Sequence, residues 1–171
     1  MTTAEPQYFN VFVYGSLRPT LYNFDMAAPA LVADPRPAIA HGYTLHSNHG
    51  DSFPYLARGV EEGACGDVHG EVLTLELGVH LRRIVAMEEG AGYNTEIVTV
   101  DVEQEDGTMR PESVIAFVHD DDRKSARGTI VPDGNWLPFY AAAEARHEHS
   151  RGWRFNSPAP RHPITRGTPI R

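Results

Sequence analysis

The chain of 171 residues has a single cysteine, Cys65, and a single lysine, Lys124, against fourteen arginines. One cysteine excludes an intrachain disulfide, which is typical of proteins in a reducing cytoplasm. Because Lys124 is the only lysine, catalysis by a lysine amine elsewhere in the chain is excluded. Cys65 has no basic neighbour in the sequence, so a reactive thiolate is not indicated.

Long apolar runs and an excess of positive charge are also missing. No run of 18 or more apolar residues occurs, and residues 1–6 lack the basic and apolar regions of a signal peptide. We therefore expect no membrane association and a cytoplasmic location. The net charge of −8 disfavours nucleic acid as a partner.

Several motifs that would indicate a cofactor or a nucleophile are absent. The chain contains no Walker A or dinucleotide-binding fingerprint, and Ser16 lacks the Gly-x-Ser-x-Gly frame of a nucleophile elbow. Among nine histidines no His-Glu-x-x-His pattern occurs, and His147 and His149 would point about 200° apart on a helix. We therefore expect neither a metal nor another cofactor.

The hydrophobic pattern that is present predicts strands arranged around one main helix. Strands are predicted over 10–14, 41–46, 68–77, 96–103 and 113–119, the last two forming a hairpin through a turn at 105–108. The main helix is predicted over 79–88, with Leu81, Ile84, Val85 and Glu88 on one face. Further predictions are a short helix over 23–31, a turn at 35–37, a segment over 53–56 that cannot be a central strand, a solvated loop over 120–122 and a helix over 135–149. This order indicates the α+β class rather than a doubly wound α/β sheet.

The composition changes near residue 150. Residues 151–171 contain five arginines, four prolines and no acidic residue. We expect one domain over residues 1–149 and a basic C-terminal tail over 150–171. The opposite charges predict that the tail packs on an acidic surface, either of its own chain or of a second copy in a homodimer.

Two segments combine residue types that suit a ligand site. Residues 11–13 predict a short buried strand, and the glycine in the following loop lets a ligand approach backbone N–H groups closely. Glu88 and Glu89 end the main helix, where the helix dipole disfavours negative charge, just before Gly90. Two interpretations stay open: an exposed and solvated pair, or one carboxylate turned inward as a general base with a raised pKa.

Five motifs, in this order, resemble those of the γ-glutamylcyclotransferase-like (AIG2-like) family. They are Tyr-Gly-Ser-Leu at 14–17, Phe-Pro-Tyr-Leu at 53–56, Val-x-Gly-Glu-Val at 68–72, Glu-Gly at 89–90 followed by Tyr93, and Asn-Trp at 135–136. The likeness covers residues 10 to 140. It implies a small mixed β-barrel with flanking helices that binds a small γ-glutamyl substrate. The reaction implied is cyclisation to 5-oxoproline with release of a free amine or amino acid, without metal or cofactor.

The resemblance also implies the residues of the site. Glu89, beside Gly90, is expected to be the general acid/base, whereas alignment on the apolar positions of the helix selects Glu88. Tyr14 and Tyr93 are expected to wall the pocket and to offer hydroxyl groups. The expected substrate-binding residues are Tyr14, Gly15, Ser16, Leu17 and Tyr93.

Two positions depart from the family pattern. Thr95 stands where an arginine is usual, and Phe117 stands where a tyrosine is common. Both changes remove a polar group near the expected pocket, which favours the alternative of a binding protein that has lost activity. The glutamate before Gly90 opposes that alternative. Another γ-glutamyl acyl-transfer reaction is a further alternative.

Overall fold

The structure is a computed structural model that describes residues 7–149, with side chains described as far as Arg146. The predicted basic tail and any dimer formed through it lie outside the described residues. The boundary between the two predicted regions therefore stays a prediction. None of the helices described has the length and apolar character needed to cross a membrane.

The described residues form eight strands, three α-helices and two 3₁₀ helices. In chain order the strands and α-helices are β1 (Tyr8–Val13), α1 (Phe24–Ala27), β2 (Arg36–His41), β3 (Tyr43–Asn48), β4 (Pro54–Arg58), β5 (Asp67–Glu76), α2 (Val79–Gly90), β6 (Tyr93–Glu103), β7 (Met109–His119), β8 (Arg127–Ile130) and α3 (Trp136–His149). The 3₁₀ helices are Ala28–Ala30 and Asp121–Ala126. Both α-helices and strands surround one core, which confirms the α+β class.

Five strands close into a barrel in the order β1-β5-β2-β6-β7. β1 is antiparallel to β5, with Val13 opposite Glu71, and parallel to β7, with Val11 opposite Ile115. β6 and β7 form the long hairpin that the alternating pattern predicts, from the Tyr93–His119 pair to the Glu103–Met109 pair. The barrel is therefore mixed, as predicted.

Gly70 permits two barrel strands to approach closely. A Cβ atom at this position would overlap the carbonyl oxygen of Val13 and lie 2.7 Å from the ring of Phe12. Phe12 is fully buried, so neither neighbour has free space to move into. The end of β1, and the loop that follows it, are therefore held directly against β5.

A second sheet of three strands, in the order β4-β3-β8, lies beside the barrel. Pro54 begins β4, an edge strand that pairs with β3 alone in this sheet. The missing N–H of proline therefore interrupts no second ladder of backbone hydrogen bonds. This arrangement confirms that residues 53–56 do not form a central strand. The register of β3 and β8 shifts between His46 and Asn48.

The predictions differ from the structure in several short segments, one of which is β8, a strand that was not predicted. The predicted strand over 41–46 is two strands, because Gly42, at φ +82°, turns the chain between β2 and β3. The predicted turn at 35–37 is wrong, because β2 begins at Arg36 and includes Pro37. The missing N–H of Pro37 is tolerated there, since pairing with β6 begins only at Ala38. Residues 121–126 form a 3₁₀ helix rather than a loop, and Asp121 and Asp122 are exposed to solvent as expected. The Asp120 carboxylate caps the helix by accepting from the Asp122 N–H at 3.0 Å.

Candidate active site

The loop that follows β1 presents backbone N–H groups. The Arg18 N–H donates to the Gly15 carbonyl at 2.9 Å, and the Asn23 side chain donates to Ser16 Oγ at 3.0 Å. Within the described part of the chain, the N–H groups of Gly15, Ser16 and Leu17 donate to no protein acceptor. The loop therefore offers three adjacent donors to a ligand.

Gly15 lets this loop lie directly against β4. A Cβ atom at position 15 would lie 2.5 Å from Cγ of Pro54. A larger residue would push the two segments apart and open the wall of the site. Close packing rather than backbone conformation thus requires glycine here.

A buried ion pair fixes the far end of the loop. Arg18, which is 5% exposed, donates to both carboxylate oxygens of Glu71 on β5, at 2.8 and 2.7 Å. Its Nη1 also donates to Asn135 Oδ1, at 2.9 Å, just before α3, and to the His69 carbonyl on β5, at 3.5 Å. The loop is thereby tied to a barrel strand and to the start of a helix.

Two buried tyrosines, Tyr14 and Tyr93, line the pocket. The Tyr14 hydroxyl donates to the Phe117 carbonyl, and the Tyr93 hydroxyl donates to the Pro54 carbonyl at 2.7 Å. Burial raises the pKa of both phenols. Because both hydroxyl protons are committed to backbone carbonyls, these side chains shape the pocket and offer only their oxygen atoms as acceptors.

Glu88 is the carboxyl group that enters the pocket. It follows Leu81 and Ile84 along the inward face of α2, where both of these residues are buried. Burial raises the pKa of Glu88 from 4.5 to about 7, and no hydrogen bond or positive charge of the described residues opposes that rise. A carboxyl group with this pKa can both accept and donate a proton near neutral pH.

Glu89 lies outside the pocket. It is exposed, and its Oε1 accepts a hydrogen bond from Thr95 Oγ1 at 2.9 Å. It borders a separate apolar groove on the barrel surface, together with Phe9 and Leu81. Thr95, at the position where the family usually has arginine, thus contacts this outer carboxylate.

The expectation that Glu89 turns into the pocket is therefore wrong, and the physical reason is the length of the helix. Gly90 does not end α2 early, because the Ala91 N–H still donates to the carbonyls of Met87 and Glu88, each at 3.0 Å. Consecutive residues on a helix point about 100° apart. Glu88 and Glu89 consequently face different surfaces.

The other predicted site residues come together around Glu88. The pocket is lined by Phe12, Val13, Tyr14, Gly15, Ser16, Leu17, Phe53, Pro54, Glu88, Tyr93 and Phe117. Among these residues Glu88 is the single charged side chain. The pocket thus pairs one proton acceptor with three free N–H donors and apolar walls.

Sequence reasoning assigned no role to four residues of this arrangement. Phe53 and Pro54 line the pocket, and Arg18 and Glu71 hold its loop in place. A signal was present, because Phe53, Pro54 and Glu71 lie within the motifs that carry the family resemblance and Arg18 directly follows the motif at 14–17. The motifs did not reveal which side chains contact one another.

Two other groups considered in the sequence are the histidines, as metal ligands, and Cys65. The described residues contain no group of three His, Cys, Asp or Glu side chains that could hold a metal ion. Cys65 is exposed, and its Sγ lies 3.1 Å from the Asp67 carbonyl oxygen.

Comparisons with known proteins identify the family to which this chain is similar. The family described as "Gamma-glutamyl cyclotransferase, AIG2-like" matches residues 11–138. Protein AIG2 C of Arabidopsis thaliana is 31% identical over 129 residues, which cover 72% of this chain and 70% of that protein.

Solved structures support the same fold. An Arabidopsis thaliana solution structure has a TM-score of 0.52 at 28% identity, covering 88% of this chain and 82% of the other. An AIG2-like protein from Mus musculus has a TM-score of 0.53 at 19% identity, covering 66% of this chain and 77% of the other. At that identity the mouse protein is evidence for the fold alone. Since the family match spans most of the chain, the protein belongs to the γ-glutamyl cyclotransferase, AIG2-like family.

Proposed function

We propose that the protein cyclises a γ-glutamyl amine or γ-glutamyl peptide to 5-oxoproline and releases the free amine or amino acid. The observation on which this rests is the position of Glu88, a partly buried carboxyl group with a raised pKa that lines the same pocket as Gly15, Ser16 and Leu17. Family membership supplies the class of reaction.

The reaction requires no second substrate. The α-amine of the γ-glutamyl group attacks its own γ-carbonyl carbon, so that a C–N bond forms and closes a five-membered ring. The original amide C–N bond then breaks, and the departing nitrogen takes up a proton. Holding the chain folded in a small pocket supplies much of the acceleration, because the attack is intramolecular.

Glu88 is the proposed proton carrier. The α-ammonium group has a reference pKa of about 8 and must lose a proton before its nitrogen can attack. A Glu88 carboxylate accepts that proton and returns it to the departing nitrogen. Its pKa of about 7 suits both steps, since the driving force for transfer is then small in either direction.

The N–H groups of Gly15, Ser16 and Leu17 are the proposed anion-binding groups. They donate to no protein acceptor in the described residues, and they lie among the pocket-lining residues. They would hold either the α-carboxylate of the substrate or the negative oxygen that develops on the γ-carbonyl. Tyr14 and Tyr93 exclude water on either side.

The test is an assay for 5-oxoproline with purified protein and a panel of γ-glutamyl peptides and amines, in the presence of a strong chelator. Turnover of at least one member is expected, since no step requires a metal. The matched α-glutamyl peptides are the control, because their geometry does not suit the same ring closure. Tight binding of γ-glutamyl compounds without 5-oxoproline release would instead support a binding protein on this fold.

A further inference from the structure

The pocket around Glu88 is too small for the substrate in this conformation. Its volume is about 30 Å³, and a cavity of that size holds a water molecule. Pockets that bind small organic molecules are roughly ten times larger. A γ-glutamyl group can therefore enter only after part of the wall moves outward.

Phe53 is the part of the wall that is free to move. Three of the residues that line the pocket are only partly buried: Ser16, Phe53 and Glu88. Glu88 belongs to α2, and Ser16 lies in the loop that the Arg18 ion pair anchors. Phe53 instead belongs to the turn at residues 49–53, which joins β3 to β4. Movement of this turn would widen the pocket without disturbing the barrel.

Asn48 holds the backbone of Phe53 in its inward position. The Phe53 N–H donates to Asn48 Oδ1 at 3.2 Å, and the Phe53 carbonyl accepts from the Asn48 N–H at 2.9 Å. The Ser52 N–H donates to the same Oδ1 at 2.7 Å. Outward displacement of Phe53 breaks these bonds, so it exposes the N–H groups of Ser52 and Phe53 to solvent.

A tyrosine hydroxyl ties this turn to the loop on the other side of the pocket. The Tyr22 hydroxyl donates to the Ser52 carbonyl at 2.8 Å. The next residue, Asn23, donates from its side chain to Ser16 Oγ at 3.0 Å and from its backbone to the Ser16 carbonyl at 3.1 Å. The ring centroid of Tyr22 lies 6.2 Å from that of Tyr140 on α3, so the ring keeps a packing partner when the hydroxyl is removed.

Two further contacts keep the turn folded when the Tyr22 hydrogen bond is absent. His49 Nε2 lies 2.8 Å from the Ser125 carbonyl oxygen, and the Asp51 carboxylate lies 3.6 Å from Nη2 of Arg146. Neither contact reaches a residue that lines the pocket. Loss of the Tyr22 hydroxyl is therefore expected to loosen the turn rather than to unfold it.

We propose that the hydrogen bond between Tyr22 and Ser52 is a latch that keeps the pocket closed, and that substrate binds only after this latch opens. The identity of the substrate rests on the proposed cyclisation, whereas the latch does not. Because the closed pocket cannot hold a γ-glutamyl group, the latch competes with binding. The apparent dissociation constant equals that of the open form divided by the fraction of open protein. Weakening the latch should therefore improve affinity, the opposite of what loss of a substrate contact would do.

The kinetic test is Tyr22→Phe with γ-glutamyl-alanine as substrate. KM is expected to fall by about fivefold, which is the typical contribution of one hydrogen bond to an equilibrium. The kcat is expected to stay within about twofold, since the bound complex has an open latch in both proteins. Tyr8→Phe is the control, because Tyr8 on β1 is 51% exposed, Tyr22 is 48% exposed, and Tyr8 does not line the pocket. An unchanged or increased KM in Tyr22→Phe would overturn the proposal.

Amide hydrogen exchange measures the latch without any ligand. The N–H groups of Ser52 and Phe53 are expected to exchange about fivefold faster in Tyr22→Phe than in the native protein, and at the native rate in Tyr8→Phe. If the native protein releases no 5-oxoproline, the proposed cyclisation fails, but these exchange rates still decide the latch. Equal exchange rates in the native protein and in Tyr22→Phe would overturn it.

Discussion

Glu88 is a carboxyl group whose surroundings oppose its ionisation. It lies on the inward face of a helix, at the C-terminal end where the helix dipole already disfavours negative charge. Burial alone raises its pKa to about 7. A group placed at a cost to stability is expected to have a role in function, and that cost is measurable.

We predict that Glu88 makes stability depend on pH. Between the ordinary value of 4.5 and about 7, the folded protein binds more protons at Glu88 than the unfolded chain does, so this residue lowers stability as pH rises. Glu88→Gln should therefore stabilise the protein at pH 8, by on the order of 3 kcal/mol, and should have little effect at pH 4.5.

Urea unfolding at the two pH values measures the difference, with the exposed Glu89→Gln variant as the control. A Glu88→Gln effect that is the same at both pH values would show that the carboxyl group is not buried as described.

The choice between the two glutamates was contained in the sequence. Leu81, Ile84 and Glu88 recur at helical spacing, and this period predicts that Glu88 shares the buried face. Gly90 suggested an early helix end, and glycine does favour helix termini. The structure shows that the helical period was the stronger signal, because α2 continues through Gly90.

At the scale of elements, the loop after β1 depends on the ion pair that anchors it. Arg18 is buried and Glu71 accepts two of its hydrogen bonds, so removing the carboxylate leaves a buried guanidinium without its partner. Breaking a buried ion pair therefore lowers the free energy of unfolding by more than an exposed ion pair adds to it.

We predict that Glu71→Gln lowers the free energy of unfolding by about 3 kcal/mol and raises KM, because the N–H groups of the loop lose their fixed position. The control is Glu112→Gln. Glu112 also binds an arginine, Arg36, through two hydrogen bonds, but both side chains are partly exposed. Its loss is expected to cost less than about 1 kcal/mol. Equal destabilisation by the two variants in urea unfolding would contradict this account of the loop.

Elements with strong local patterns were predictable, and short elements were not. The β6–β7 hairpin, β5 and α2 all follow from alternation or helical spacing in the sequence. β2 was taken for a turn because it contains Pro37, and β8 has only four residues, one of them a buried arginine. Pairing with distant strands stabilises both, and that information is not local.

At the scale of the whole molecule, barrel closure assembles the pocket from distant parts of the chain. The loop at 14–17, the start of β4, Glu88, Tyr93 and Phe117 meet because β1 pairs with both β5 and β7, while β4 packs beside the barrel. Composition and periodicity predicted the class of fold. Family resemblance supplied the pocket residues, since no local pattern reveals which loops meet.

The central claim is that the inward glutamate transfers the proton during cyclisation. The most direct test measures 5-oxoproline release by Glu88→Gln and Glu89→Gln, which are adjacent and chemically identical substitutions. We expect Glu88→Gln to lower kcat by about 100-fold or more while substrate binding persists, because the loop N–H groups remain. Glu89→Gln is expected to stay within about twofold of the native protein. The native kcat/KM should rise with pH through a value of about 7. Loss of activity in Glu89→Gln with full activity in Glu88→Gln would contradict the account.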